Sequence, residues 1–272
     1  MRIQVESGSG ISEKSLSLFI INSKYNNIMT KRPVKKIYLL VLILFTLVTK
    51  EGQSQNLLTK VDGEQSAYIL PSPQTDGTIS IEHALANRRS HRSFTDEAIS
   101  AEQLSQVLWA AYGITNPIPG NPNLRGGLRT APSAGALYPF EIYILVGKVT
   151  GVETGLYQYI SQEHKIVKVT DQDLREGLSV AAFGQVHIKE APISILYAAI
   201  YSRMTGKYGD RGRDRFVCID LGHSAQNVYL QAGALSLGTC AVGGFNDEKV
   251  IELMQLPEEE VPLYIMPVGH YK

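Results

Sequence analysis

The chain has 272 residues, and its 26 basic and 26 acidic side chains leave no formal net charge. That balance excludes the electrostatic footprint of a nucleic-acid binder or of a protein that rides on anionic membranes. With 44% apolar and 19% charged residues, the composition is that of an ordinary globular protein with a sizeable core.

The first recognisable segment is a cationic stretch, residues 31–36, followed by a 12-residue apolar run at 37–48 and a polar stretch at 49–55. This three-part layout is that of a secretory signal. Gly52 and Ser54 supply small residues for cleavage before Gln55, which leaves 272 − 54 = 218 residues. The run is shorter than the roughly 20 apolar residues of a membrane span. A retained N-terminal anchor is the alternative reading. Met29 immediately precedes the signal, so residues 1–28 read as an over-extended start. Residues 1–54 are thus expected to be that start plus a signal peptide. The protein is expected to be exported to the periplasm, or membrane-anchored if the signal is uncleaved.

Residues 55–78, with Pro71, Pro73 and Gly77, read as an extended arm, and 79–272 as a single domain. A short helix is predicted over 80–87. A better one opens at Ser100 with the capping box Ser100-x-x-Gln103, and Leu104, Val107, Leu108, Ala111 and Tyr112 form its apolar stripe up to Gly113. Residues 114–130, rich in Pro, Gly and Asn, read as a long loop. A buried strand follows at 140–146, a hairpin at 155–160 and 165–169, a helix capped by Asp171 and running to Ala182, and another buried strand at 193–200. From about Arg213 to Leu237, Val217, Leu221, Ala225, Val228, Ala232 and Leu235 recur every three or four positions, which predicts a long, central helix. A short strand at 239–242, a helix at 247–256 closed by Pro257 and a strand at 262–268 complete the chain. Interleaved helices and strands indicate α+β or α/β layering. Cys218 and Cys240 lie in apolar contexts and read as buried small hydrophobes, with a disulfide left open for an exported chain. There is no CxxC or HExxH and the six histidines are scattered, so no metal is expected.

Three segments carry candidate chemistry. In Arg88-Arg89-Ser90-His91-Arg92, forked guanidinium donors and a short hydroxyl can converge on a phosphate, or form a solvated surface. In Ala131-Pro132-Ser133-Ala134-Gly135-Ala136-Leu137-Tyr138-Pro139, small residues let backbone amides approach a flat ligand, or simply make a tight turn into a strand. The string Gly238-Thr239-Cys240-Ala241-Val242-Gly243-Gly244-Phe245 again leaves a strand on small residues. A fourth string, Lys207-Tyr208 beside Asp210, Arg211 and Arg213, reads on its own as a solvated loop charge.

In this order, and with a long apolar helix before the third string, the segments resemble the nitroreductase-like flavoprotein family. The Ser-Ala-Gly-Ala-Leu-Tyr-Pro string at 133–139 is similar to its SagB-type branch, which includes dehydrogenases that oxidise thiazolines and oxazolines in modified peptides. The likeness runs from about residue 80 to the C-terminus. It implies an α+β, nitroreductase-like fold: a central, mostly antiparallel sheet flanked by helices around a long central helix. It also implies a homodimer with FMN at the interface. By position, Arg88, Arg89, Ser90 and Arg92 would hold the phosphate and ribityl chain. Pro132, Ser133, Ala134, Gly135 and Leu137 would line the isoalloxazine from across the dimer, and Gly243 and Gly244 would approach its reactive edge. Lys272 takes the place of a basic residue that the family carries in a tail beyond the final Val-Gly, here truncated. Lys207 and Tyr208 match a pair that serves catalysis in the azoline-oxidising members.

The resemblance therefore implies an FMN-dependent oxidoreductase that passes hydride through bound FMN, with a small-molecule or peptide substrate and NAD(P)H as a possible donor. The chain lacks the peptide-recognition and cyclodehydratase segments that would tie it to azoline synthesis. Nicotinamides are scarce outside the cytoplasm, so export would require another donor. The alternatives are an exported flavin-binding homologue without turnover and a cytosolic NAD(P)H-dependent nitroreductase.

Overall fold

The computed structural model describes residues 58–61 and 66–272. The expected start at 1–28, the signal at 31–54 and the cleavage point at Gln55 lie outside the described residues.

The two long runs of branched apolar residues form the middle of the sheet. In chain order its strands are β1 (Thr59–Val61) and β2 (Ala67–Ile69), then β5 (Phe140–Val146), β6 (Gly155–Ile160), β7 (Lys165–Thr170), β8 (Ile193–Ile200), β9 (Gly238–Thr239) and β10 (Glu260–Gly269). A separate hairpin, β3 (Ile114–Pro117) with β4 (Gly127–Arg129), occupies part of the stretch expected as a loop. Among the described residues the main sheet has the order β1-β2-β7-β6-β5-β8-β10-β9, and its paired strands run antiparallel. Every residue of β8 is buried, because helices cover both faces and only a continuous apolar run suits that position.

The helices are α1 (Ile81–Asn87), α2 (Ala101–Tyr112), α3 (Arg175–Ala181), α4 (Val186–Glu190), α5 (Ser202–Tyr208), α6 (Val217–Ala234) and α7 (Asp247–Met254). On one face of the sheet, Ile142, Ile144 and Val146 meet Leu104 and Leu108 of α2 and Val217, Leu221, Ala225, Val228 and Ala232 of α6. On the other, Tyr143 and Leu145 meet Leu178 of α3 and Val250 and Met254 of α7. Alternate residues of β5 thus feed two cores, as the two-residue period of a strand requires. Each fully buried Ile or Leu contributes roughly 1.5–3 kcal/mol.

Local signals formed as the side chains dictate. The Ser100 hydroxyl accepts from Gln103 N at 3.1 Å and Gln103 Oε1 accepts from Ser100 N at 2.8 Å, which completes the capping box. Four expectations need correction. Within 55–78, β1 and β2 extend the sheet edge through β2–β7 pairing. Asp171 caps no helix: it pairs with Lys168 at 2.8 Å, and α3 begins after Leu174. The central helix does not run unbroken from Arg213, because a π-helical turn at Gly212–Phe216 precedes α6. Cys218 is exposed on α6, while Cys240 is buried.

Candidate active site

After α1, whose first turn is capped by Ser80, the chain becomes extended. Ser90 forms a parallel bridge with Thr239, and His91 N donates to Thr239 O at 2.9 Å. This registers the arginine segment alongside β9. The approach is so close that a Cβ on Gly238 would lie 2.7 Å from the His91 side chain. The C-terminal tail closes over the same segment. The His91 ring stacks on Tyr271 at 3.8 Å, Thr95 N donates to His270 O and Lys272 N donates to Ser93 O. Tyr229 of α6 joins the two strings. Its hydroxyl meets Ser90 Oγ at 3.1 Å and accepts from Ala241 N at 2.8 Å, and its ring carries the Arg88 guanidinium at 5.2 Å.

Among the described residues, the Arg89 side chain donates to the carbonyls of Ala86 and Arg88. Among the described residues, arginine salt bridges engage Arg125, Arg175, Arg203 and Arg213, and none engages Arg88, Arg89 or Arg92. Burial, and after it the charge of Arg92, holds the His187 imidazole below its ordinary pKa. Arg88 and Arg92, on a segment registered beside β9 and without a carboxylate partner among the described residues, suit a phosphate, whereas the Arg89 guanidinium turns back onto the carbonyls of Ala86 and Arg88. Thr239, buried in the same strand, keeps an Oγ1 with no hydrogen-bond partner.

The second cluster forms around the turn at 133–138. Gly135 has φ +64°, and Ala136 and Tyr138 are also left-handed, at 55° and 47°. The Ser133 hydroxyl donates to Asp220 Oδ2 at 2.5 Å and accepts from Tyr138 N at 2.9 Å. Ala134 N donates to both Asp220 oxygens, at 3.1 and 3.2 Å. Asp220 is buried on α6, and burial raises its pKa against the lowering effect of Ser133 and Ala134. A Cβ on Gly135 would lie 2.6 Å from Tyr208 Oη and 2.9 Å from Lys207 Nζ. Left-handed φ favours glycine here, and a side chain at this position would displace the Lys207 and Tyr208 tips.

Lys207 and Tyr208 occupy the last turn of α5, where a loop was one expectation. The helix stops at Gly209, whose φ of 58° and ψ of −148° belong to a region essentially confined to glycine. The Tyr208 ring then packs edge-on to Phe216 at 4.7 Å. Arg213 pairs with Asp210 and Asp214, and among the described residues Lys207 has no carboxylate partner. Elsewhere, a Cβ on Gly243 would touch the Tyr264 ring at 3.4 Å, and Gly244 has open space where a side chain would stand.

The structure thus assembles two half-sites. One contains Arg88, Arg89, Ser90, Arg92, β9, the nearby Gly243 and Gly244, and the backbone of Lys272. The other contains Pro132, Ser133, Ala134, Gly135, Leu137, Lys207 and Tyr208. Their anchors on α6, Tyr229 and Asp220, are nine residues apart, roughly 14 Å of helix rise. Sequence reasoning passed over both anchors. The signal for Asp220 was a single acidic residue on the apolar stripe of Val217, Leu221 and Ala225. Nothing local marked Tyr229.

The nitroreductase family model matches residues 85–270, and the chain belongs to the nitroreductase family. A protein that carries the nitroreductase name in Methanocaldococcus jannaschii is 44% identical, over 70% of this chain and 91% of its own. The FMN reductase [NAD(P)H] of Bacillus subtilis is 25% identical over 69% of this chain and 64% of its own. The microcin B17-processing protein McbC of Escherichia coli is 27% identical over 70% and 71%. Among solved structures, a nitroreductase-named protein of Ralstonia eutropha superposes with a TM-score of 0.64 at 28% identity, covering 79% of this chain and 95% of that one. The fold and class expected from the residues are those the comparisons establish.

Proposed function

We propose that this protein is an FMN-dependent oxidoreductase whose active site joins the two half-sites across a homodimer. The observation that carries the reading is the Gly135 turn, left-handed and seated against Tyr208 Oη and Lys207 Nζ, in a chain of the nitroreductase family. FMN, once bound, supplies reversible hydride exchange, and the protein contributes orientation and electrostatics. Arg88, Arg89 and Arg92, with the Ser90 hydroxyl, neutralise the phosphate. The 132–137 turn of the partner chain presents small residues and backbone amides to the ring, and Gly243 and Gly244 allow close backbone approach. Lys207 holds or takes the substrate proton, and Tyr208 orients the substrate beside it.

The likeness to McbC supports a peptide or other amine-containing substrate oxidised by loss of hydride and proton. The likeness to the Bacillus subtilis FMN reductase supports a nicotinamide as electron donor. Export by the N-terminal signal is the competing part of the reading, since an exported enzyme would need a donor other than a nicotinamide. Sequencing the N-terminus of the cell-made protein decides, and an end at Gln55 would exclude the nicotinamide donor.

The flavin assignment is tested by titrating FMN into the purified protein and into Arg88→Ala/Arg92→Ala. The double variant should bind at least about tenfold more weakly, since each charge-assisted hydrogen bond lost costs about 1.5–3 kcal/mol. Equal binding would show that the phosphate is held elsewhere. Lys207→Ala should keep its flavin and lose about 10²-fold or more in substrate oxidation. Unchanged turnover would reduce Lys207 to a surface charge.

A further inference from the structure

The turn at 133–138 is held in an unfavourable shape. Non-glycine residues in the left-handed region cost about 1–3 kcal/mol each, and Ala136 and Tyr138 both adopt it. Such strain persists only where the surroundings over-determine the conformation. Here one side chain does so. Asp220 takes the Ser133 hydroxyl and the Ala134 amide at the start of the turn, and the same Ser133 oxygen accepts the Tyr138 amide at its end. The carboxylate is buried and, among the described residues, forms no salt bridge with Lys or Arg. Burying an unpaired carboxylate is expensive, and an apolar residue would fill the space at lower cost. The expense is offset by three hydrogen bonds, all of them to the turn. The turn in turn sets where Gly135 meets Lys207 and Tyr208, while Asp220 itself bonds to neither.

We infer that Asp220 is a positioning residue of the active site: its buried carboxylate sets the 133–138 turn at the height that presents the backbone to the flavin and seats Lys207 and Tyr208. The inference rests on the flavin reading above. Asparagine provides a graded control. With its oxygen in place of Oδ2 it keeps the Ser133 hydroxyl and removes the charge, but its amide nitrogen then stands against the Ala134 amide, which donates to Oδ1 at 3.1 Å.

The test compares the wild-type protein with Asp220→Ala, Asp220→Asn and Ser133→Ala in three measurements: the Kd for FMN, the visible circular dichroism of bound flavin, and the Tm without flavin. Asp220→Ala should weaken FMN binding about tenfold or more and change the flavin dichroism. Asp220→Asn should fall between wild type and Asp220→Ala in affinity and spectrum, because it keeps the Ser133 bond and weakens the one from Ala134. Ser133→Ala should lie between, and combining it with Asp220→Ala should add little, because both act through one network. If Asp220→Ala binds FMN like wild type with an unchanged spectrum, the inference is wrong, whatever its Tm. If that variant does not fold, Ser133→Ala decides, and wild-type affinity and spectrum there overturn the inference. A wild-type protein that takes up no FMN would overturn the flavin reading itself, an outcome distinct from wild-type binding that Asp220 leaves untouched.

Discussion

Glu260, at the start of β10, is buried and keeps one carboxylate oxygen, Oε2, without a hydrogen-bond partner. Burial raises its pKa, the neighbouring Glu141 and Glu259 push in the same direction, and Tyr143 and Arg203 oppose them. An acid whose folded pKa is raised binds its proton more tightly in the native state. Its contribution is therefore most favourable in acid and declines as pH rises through the ordinary carboxylate range toward the folded pKa. Glu260→Gln removes the charge, and we expect it to stabilise the protein at pH 8 by about 1 kcal/mol, a Tm gain of about 2–4 °C. The gain should vanish in acid, where the wild-type side chain is itself neutral. Thermal melts at both pH values check this, and a loss of stability at pH 8 would mean that the charge is compensated. At this scale the sequence was informative about residue types and silent about partners. The arginines and the small-residue turn stood out by composition, and Lys207-Tyr208 by resemblance to the azoline-oxidising members. The burial of Asp220 and Glu260 did not, because an isolated acidic residue carries no local mark of what will cover it.

The π-helical turn at Gly212–Phe216 decides how the Lys207–Tyr208 end of α5 meets α6. At Gly212 a Cβ would lie 2.7 Å from Met204 C and 2.8 Å from Met204 O, both rigid backbone atoms. Gly212→Ala should therefore push α5 away from α6, at a cost of about 1–3 kcal/mol. It should also lower turnover more than FMN affinity, because the arginine segment is untouched. Stopped-flow reduction beside FMN titration separates the two, and an equal loss in both would argue for general unfolding. Element by element, β5 and β8 were readable because both faces of each are covered, so each is apolar apart from one polar residue, Glu141 and Ser194. The capping box on α2 was readable because its partners are three residues apart. Helices α4 and α5, of five and seven residues, are too short to display a helical period. Asp171 looked like a cap, but its carboxylate binds Lys168 across the turn from β7.

For the molecule as a whole, the separation of the two half-sites along α6 makes subunit complementation the informative measurement. Gly135, Lys207 and Tyr208 travel together in one chain, and the proposed dimer supplies the arginines from the other. Mixing Arg88→Ala/Arg92→Ala with Lys207→Ala, at an FMN concentration that saturates wild-type sites and leaves the arginine variant largely empty, should produce heterodimers with one wholly wild-type site. Random re-assortment of a two-fold dimer then returns about a quarter of the wild-type sites. Absence of recovery, with native mass spectrometry of differently tagged variants confirming heterodimers, would place both half-sites of one active centre in the same chain. Ile81 and Leu85 of α1, with Ile79 just before it, are exposed large apolar residues and offer a surface for such an interface.

By itself the sequence determined the family, the class of cofactor, the order of the main strands along the chain and the segments from which a site would be built. Each of these is written in residues close together along the chain, where periodicity, caps and short strings suffice. Tertiary structure alone decided which segments meet. Ser133 binds a carboxylate 87 positions away and Ser90 a phenol 139 positions away. Such contacts depend on sheet register and on the rotation of α6 over the sheet, and both are settled by packing summed over the whole core rather than by any local pattern.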